Sequence, residues 1–333
     1  MRCRGGGNSD WHHRYSVAVG RLLRLTFPLL VSVLPGSGIE AQGGVVVRQV
    51  LAGPGLDIDV TPSADGRLLA FASSRSGSLE IWMRAVDGGP IQQITTSAAN
   101  SADRFPSFTP DGRTIVFQSD RTGSVRNIWL VEIAVRALAQ LTTFTDGGAS
   151  HPALSPDAKT ICFTRTTANG SVAIWLVGID GRAPREIAAA GVDCAWTPDG
   201  RIVFARPSDM QSPQRYDIWI TGAGGDGARA LSTSPQRWSR NPVPSPDGNW
   251  IAYTAYESTP LGDIREVVGG FQIDPRVRTS IWLAPLAAPD GPHRQIVTGS
   301  FNSYMSWTRD ARALLFTSTR SGSADIWSID LVP

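Results

Sequence analysis

Lysine, histidine and cysteine are scarce in this 333-residue chain. Lys159 is the only lysine, and there are four histidines and three cysteines. So few His and Cys side chains leave little room for a His/Cys metal cluster, and no metal is expected. Charge is thin as well: Asp, Glu, Lys and Arg make up 18%, below the usual quarter. The formal net charge of +2 comes from the first forty-one residues, where Arg2, Arg4, Arg14, Arg21 and Arg24 face only Asp10 and Glu40. The rest is close to neutral with no basic cluster, so a nucleic-acid partner is not expected. The most apolar run near the N-terminus, Leu25 to Leu34, is too short to span a bilayer, so a membrane-spanning chain is not expected either.

What the chain has is 34 Gly, 23 Pro, 11 Trp, 11 Phe and 5 Tyr. Many turn residues beside many large apolar side chains suit an all-β protein with short strands. At the N-terminus, Arg21 and Arg24 precede the Leu25–Leu34 run, and Pro35–Gly38 and Ala41 follow it. A basic stretch, a short apolar stretch and small residues are the pattern of a secretory leader, so 1–41 is expected to be a signal peptide and 42–333 the folded domain. Export would place Cys162 and Cys194 in an oxidising compartment. A bridge between them is one outcome, two separate core thiols the more expected one.

A repeat runs through the domain. Its clearest copy reads Phe105-Pro-Ser-Phe-Thr-Pro-Asp-Gly-Arg-Thr-Ile-Val-Phe117, then Ser119-Asp-Arg-Thr-Gly123, then Ile128-Trp129. The turn aspartates recur at Asp65, Asp111, Asp157, Asp199, Asp247 and Asp310, and Ile-Trp pairs recur at Trp82, Trp129, Trp175, Trp219, Trp282 and Trp327. Each copy reads as four antiparallel strands, A to D. Strand A ends at the Pro-Asp-Gly turn, strand B follows at once, a Ser-x-Arg-x-Gly hairpin leads to strand C with its Ile-Trp, and a further turn leads to strand D. In that turn Pro presets φ, Asp bonds its own backbone and Gly accepts positive φ. Six such copies predict a single six-bladed β-propeller of four-stranded blades. The last copy lacks strand D, so residues 45–51 are expected to supply it and close the ring. A monomer is expected.

The Pro-Asp-Gly, Ser-x-Arg-x-Gly and Ile-Trp pattern resembles the TolB-type propeller repeat, a WD-repeat-like module of bacterial periplasmic proteins. The resemblance covers residues 45–333. It implies a periplasmic or secreted binding propeller that docks an envelope or secreted protein at one mouth of the ring. The α/β domain that precedes the propeller in TolB is not expected here.

In a propeller the D–A and B–C connections share one face, and the uniform Pro-Asp-Gly turns share the other. Variation concentrates on the first face, chiefly in the long B–C loop of the fifth copy, Glu257 to Thr279, with Arg265 and Glu266. Residues entering strand A are expected to line the mouth: Arg104, His151, Asp193, Arg240, Asn241 and Tyr304. Arg, Tyr and Asn are types suited to anchoring a polar ligand or a protein interface. These eight residues are the candidate binding set.

No catalytic residue is expected. His151 has neither an orienting partner nor a nucleophile evident in sequence. Gly222 to Gly227 spells G-x-G-x-x-G, but it sits in a hairpin instead of between a strand and a helix, so no dinucleotide or other cofactor is expected. G-x-S-x-G is absent. The alternative is a carbohydrate-active hydrolase or lyase working through mouth carboxylates among Asp57, Asp59, Asp103 and Asp193. Trp196, Trp250 and Trp307 read as core, Trp238 as exposed and His293 as a solvated turn residue.

Overall fold

The computed structural model describes residues 39–42, 45–97, 101–209, 215–232, 238–256, 264–267, 270–273, 277–288 and 291–331, with backbone alone at 39–42, 45, 264–267 and 270–273. Residues 1–38, the bulk of the expected leader, lie outside it. The described regular elements are all strands, in six antiparallel sheets of four or five strands plus one separate hairpin. This is a six-bladed β-propeller. No helix among the described residues is long and apolar enough to cross a membrane.

Two strands precede blade 1 in sequence, β1 (Ile39–Gln42) and β2 (Val45–Leu51). Blade 1 is β3 (Asp57–Pro62), β4 (Leu68–Ser73), β5 (Glu80–Ala85) and β6 (Gly88–Gln93). Blade 2 is β7 (Asp103–Phe108), β8 (Thr114–Ser119), β9 (Asn127–Glu132) and β10 (Ala137–Gln140). Blade 3 is β11 (Gly148–Leu154), β12 (Thr160–Thr166), β13 (Val172–Gly178) and β14 (Arg185–Ala189). Blade 4 is β15 (Val192–Trp196), β16 (Ile202–Pro207), β17 (Tyr216–Thr221) and β18 (Arg229–Ser232). In blade 5, β19 (Trp238–Pro244) and β20 (Trp250–Tyr256) are followed by an inserted hairpin, β21 (Ile264–Val267) and β22 (Gly270–Ile273), before β23 (Thr279–Pro285) and β24 (Arg294–Ser300). Blade 6 is β25 (Asn302–Trp307), β26 (Ala313–Ser318) and β27 (Asp325–Asp330), with β2 as its fourth strand.

The closure expected from sequence is therefore present. Val47 stands opposite Ile329 and Gln49 opposite Trp327, and Val47 and Leu51 are buried. Gln49 Nε2 donates to Asp325 at 2.9 Å and Arg48 pairs with Asp330. Strand β1, which straddles the expected leader boundary after residue 41, adds a fifth strand by pairing Ala41 with Val46.

Each repeat motif has a structural task. At the Pro-Asp-Gly turns the hydroxyl two residues ahead of the aspartate donates to it, as from Ser63 to Asp65 and Thr109 to Asp111, both at 2.6 Å. The same carboxylate oxygen accepts the backbone N–H two residues on, Arg67 at 3.0 Å and Arg113 at 3.1 Å. These bonds pull the carboxyl pKa of Asp65 and Asp111 below 3.8. The hairpin arginine ties three strands together. Arg75 Nη2 donates to Asp57 of β3 at 2.7 Å and its Nε to Ser73 of β4 at 2.8 Å, while its guanidinium lies 5.3 Å from the Trp82 ring of β5. Arg121 repeats this with Asp103, Ser119 and Trp129, and Arg320 with Asn302, Ser318 and Trp327. A planar guanidinium with several donors and a stacking face can do this; a lysine cannot.

Cys162 of β12 and Cys194 of β15 form a disulfide, Cα–Cα 6.3 Å, joining blades 3 and 4. The expectation of two separate thiols is corrected: adjacent blades bring these strands side by side, a proximity that a separation of 32 residues does not reveal.

Candidate functional site

All six innermost strands carry a β-bulge. In β3 the register shifts between Ile58 and Thr61, so Asp59 and Val60 together face Phe71 of β4. The same two-against-one arrangement occurs at Phe105–Pro106, His151–Pro152, Asp193–Cys194, Asn241–Pro242 and Tyr304–Met305. The residue opposite is always a buried aromatic: Phe71, Phe117, Phe163, Phe204, Tyr253 or Phe316. That aromatic in turn pairs with the repeat Trp on strand C, as Phe71 does with Trp82. The first bulge residue is left-handed in every blade, with φ of 57° at Asp59, 53° at Phe105, 54° at His151, 56° at Asp193, 50° at Asn241 and 49° at Tyr304. Glycine is the usual occupant of such a bulge position. Six non-glycine residues there store strain, of order 1–2 kcal/mol each.

A bulge leaves its first N–H outside the ladder, and in blades 1 to 5 the preceding blade accepts it. Asp59 N donates to Thr317 Oγ1 at 3.3 Å, His151 N to Gln118 Oε1 at 3.0 Å and Asp193 N to Thr164 Oγ1 at 3.0 Å. Phe105 N and Asn241 N reach the carboxylates of Asp59 and Asp193, at 3.4 and 3.2 Å. Both carboxylates are also gripped in bidentate fashion by an arginine of the following blade. Arg104 holds Asp59 at 2.8 and 3.1 Å, and Arg240 holds Asp193 at 2.5 and 3.2 Å. His151 Nε2 stands 3.8 Å from Asp193 Oδ1. Burial works against the Asp193 carboxylate, but Arg240 and then His151 outweigh it and hold its pKa below the ordinary value. Burial, with Asp193 nearby, pushes the Tyr256 hydroxyl up to about 12.

The six first-bulge residues surround the central channel. A cavity of about 390 Å³ runs from this ring to Ser63, Ala64, Pro246 and Arg309 in the Pro-Asp-Gly turns. Phe105 packs at a tilt of 37° against His151 with ring centroids 3.8 Å apart and meets Tyr304 edge-on at 5.4 Å. Farther along, the walls include Pro62, Leu154, Trp196, Pro244 and Trp307.

Of the sequence candidates, His151, Asp193, Asn241 and Tyr304 line this cavity. Arg104 and Arg240 stand behind it as the partners of Asp59 and Asp193; Arg104 is 2% exposed. Arg265 and Glu266 lie apart, on β21, opposite Gln272 and Phe271 of β22. Phe105 and the ring role of Asp59 were missed. The available signal was position: every ring residue stands six places before its turn aspartate. Trp307 is buried but lines the channel, as does half-buried Trp196, whereas Trp250 is 41% exposed, contrary to its reading as core. Trp238 stands opposite Tyr256 and packs against the buried cluster that includes Tyr256 and Val277 instead of standing exposed, and His293 Nδ1 is 2.6 Å from the Tyr253 hydroxyl.

Neither a family model nor a curated protein matches the chain. Among solved structures it is similar to a protein described as a TolB from Agrobacterium tumefaciens, with a TM-score of 0.64 and 17% identity, covering 85% of this chain and 93% of that one. It is similar to TolB from Acinetobacter baumannii, TM-score 0.56 and 17% identity, covering 83% and 63%. An oligogalacturonate lyase in complex with manganese also matches, TM-score 0.58 and 12% identity, covering 89% and 96%. The likeness is one of fold. Among the described residues no group of three His, Cys, Asp or Glu side chains is placed to hold a metal ion.

Proposed function

We propose that the protein is an exported, non-enzymatic binding propeller that docks an envelope or secreted protein, or a peptide from one, on the face of its D–A and B–C connections. The observation that carries this is the blade 5 insertion. Blades 1, 2, 3 and 6 join their second and third strands with residues 74–79, 120–126, 167–171 and 319–324, whereas blade 5 uses 257–278 and builds an extra hairpin, β21–β22, outside every blade sheet. A fold that repeats itself closely and departs from the repeat at one loop concentrates recognition there. Export is supported by the leader-like N-terminus and by the Cys162–Cys194 disulfide, a bond that persists in oxidising compartments. Similarity in fold to TolB proteins is consistent with this reading. The lyase alternative is not favoured, since Asp59 and Asp193 are committed to Arg104 and Arg240.

The test replaces 257–278 by the blade 1 loop Ser74–Leu79 and compares capture of envelope proteins by the two chains at equal melting temperature. Loss of a partner held by the parent chain is the expected result. Retention of the same partners would reject this docking face.

A further inference from the structure

We propose that the central cavity binds a small, uncharged aromatic molecule that enters from the Pro-Asp-Gly face, a site separate from the partner-docking face and independent of that reading. The space of about 390 Å³ is within the range of small-ligand pockets, and its lining reaches the turns at Ser63, Ala64, Pro246 and Arg309. The walls favour a flat apolar body. Trp196 Nε1 donates to the Ala153 carbonyl at 3.0 Å and Trp307 Nε1 to the Val243 carbonyl at 2.9 Å, so both indoles have committed their polar edge to the neighbouring blade. Pro62, Leu154, Pro244 and Met305 add further hydrocarbon.

The floor favours neutrality. Its two carboxylates, Asp59 and Asp193, are each answered by a bidentate arginine, Arg104 and Arg240, and Asp193 also faces His151. A ligand carrying an ammonium or a carboxylate would leave water with no uncompensated charge on the floor to meet it. The cation on the lining, Arg309, is exposed at the rim beside Asp310, where solvent and salt screen it. The Asn241 amide offers an open polar position on the floor. Asn241 donates from Nδ2 to Ser303 Oγ at 3.0 Å, and the oxygen end of that amide has no hydrogen-bond partner among the described residues. It suits a hydroxyl or N–H donor on the ligand. A neutral sugar would present its hydroxyls to floor carboxylates already bonded to arginines and backbone N–H groups, and its ring is less flat than an aromatic one. The left-handed strain at all six ring positions is the second, independent sign that this floor is shaped for a task.

The probes are para-cresol, tyramine and para-hydroxybenzoate, which share one phenol ring and differ in charge, with methyl β-glucoside as the neutral sugar. The intact chain is titrated with each by calorimetry. Para-cresol is expected to bind with a Kd of about a millimolar or tighter and at least roughly ten-fold better than the other three. Asn241→Gly, which suits the φ of 50° there, is expected to weaken para-cresol about five- to ten-fold, and Asn241→Asp to shift preference to tyramine. The blade 5 loop replacement is expected to leave para-cresol binding unchanged, which separates this site from the docking face. No para-cresol binding, equal binding of either charged analogue, or tighter binding of the glucoside would overturn the proposal. The parent-chain comparison decides this without relying on any variant folding.

Discussion

Tyr304 at φ 49° and Phe105 at φ 53° are bulky side chains on a backbone that glycine occupies without penalty. That makes an inverted substitution order. In an ordinary strand Ala is better than Gly by about 0.5–1 kcal/mol. At position 304 both changes remove the ring, but only Gly relieves the left-handed strain, so Tyr304→Gly is expected to be more stable than Tyr304→Ala by about 1 kcal/mol in chemical denaturation. Asp193 makes a contrasting case. Removing it strands a largely buried Arg240, so Asp193→Ala is expected to cost about 3–5 kcal/mol, and adding Arg240→Met is expected to recover much of that loss. Equal stability of the single and double variants would refute the pairing.

The turn aspartates set the acid limb of stability. A carboxyl whose folded pKa lies below its unfolded value adds stability above the unfolded value and loses it as pH falls through the folded one. Asp65, Asp111, Asp157 and Asp199 are lowered in this way, with Asp247 and Asp310 lowered despite some burial. Asp57 and Asp103 run the other way, because burial raises them and their protonation relieves that penalty. The melting temperature is therefore expected to change little until pH falls below 3.8 and then to drop. Asp65→Asn with Asp111→Asn is expected to flatten that drop in melts recorded across the acid range.

At the scale of the element, the unit that repeats is a bulge, a buried aromatic opposite it and a Trp beyond. Bulges bend and twist a strand. The alternation of side chains would otherwise place Asp59 and Ile58 on opposite faces of a regular ladder; the extra residue re-aims the first bulge side chain toward the axis. The disulfide adds a covalent link between neighbouring elements, β12 and β15, one of whose cysteines immediately follows ring residue Asp193. Closing a separation of 32 residues is expected to contribute about 3.5 kcal/mol, so Cys162→Ala with Cys194→Ala is expected to lower the denaturant midpoint accordingly, and an unchanged midpoint would show that the bond adds no stability.

For the whole molecule, closure is the dominant device. Strand β2 supplies the fourth strand of blade 6 and buries Val47 and Leu51, so ring closure joins residues from opposite ends of the chain. Deleting Val45–Leu51 leaves the β27 edge unpaired and is expected to lower the melting temperature by roughly 10 °C or more, since each lost kilocalorie is worth a few degrees at this size. An unaltered melt would show that the ring holds without its N-terminal strand.

The sequence by itself determined the blade count, the strand order, the closing strand and the turn chemistry, because these follow from local rules: Pro-Asp-Gly turns, hydrophobic strands and a period that repeats six times. It also picked out Arg104, His151, Asp193, Arg240, Asn241 and Tyr304 as residues entering strand A. Only the tertiary structure decided which of these line the cavity and which stand behind it. A bulge is a property of register between two strands, and register is invisible along one of them. The same holds for the Arg104–Asp59 and Arg240–Asp193 pairs and for the Cys162–Cys194 bond. Each joins adjacent blades, and side chains meet there only once the ring has closed.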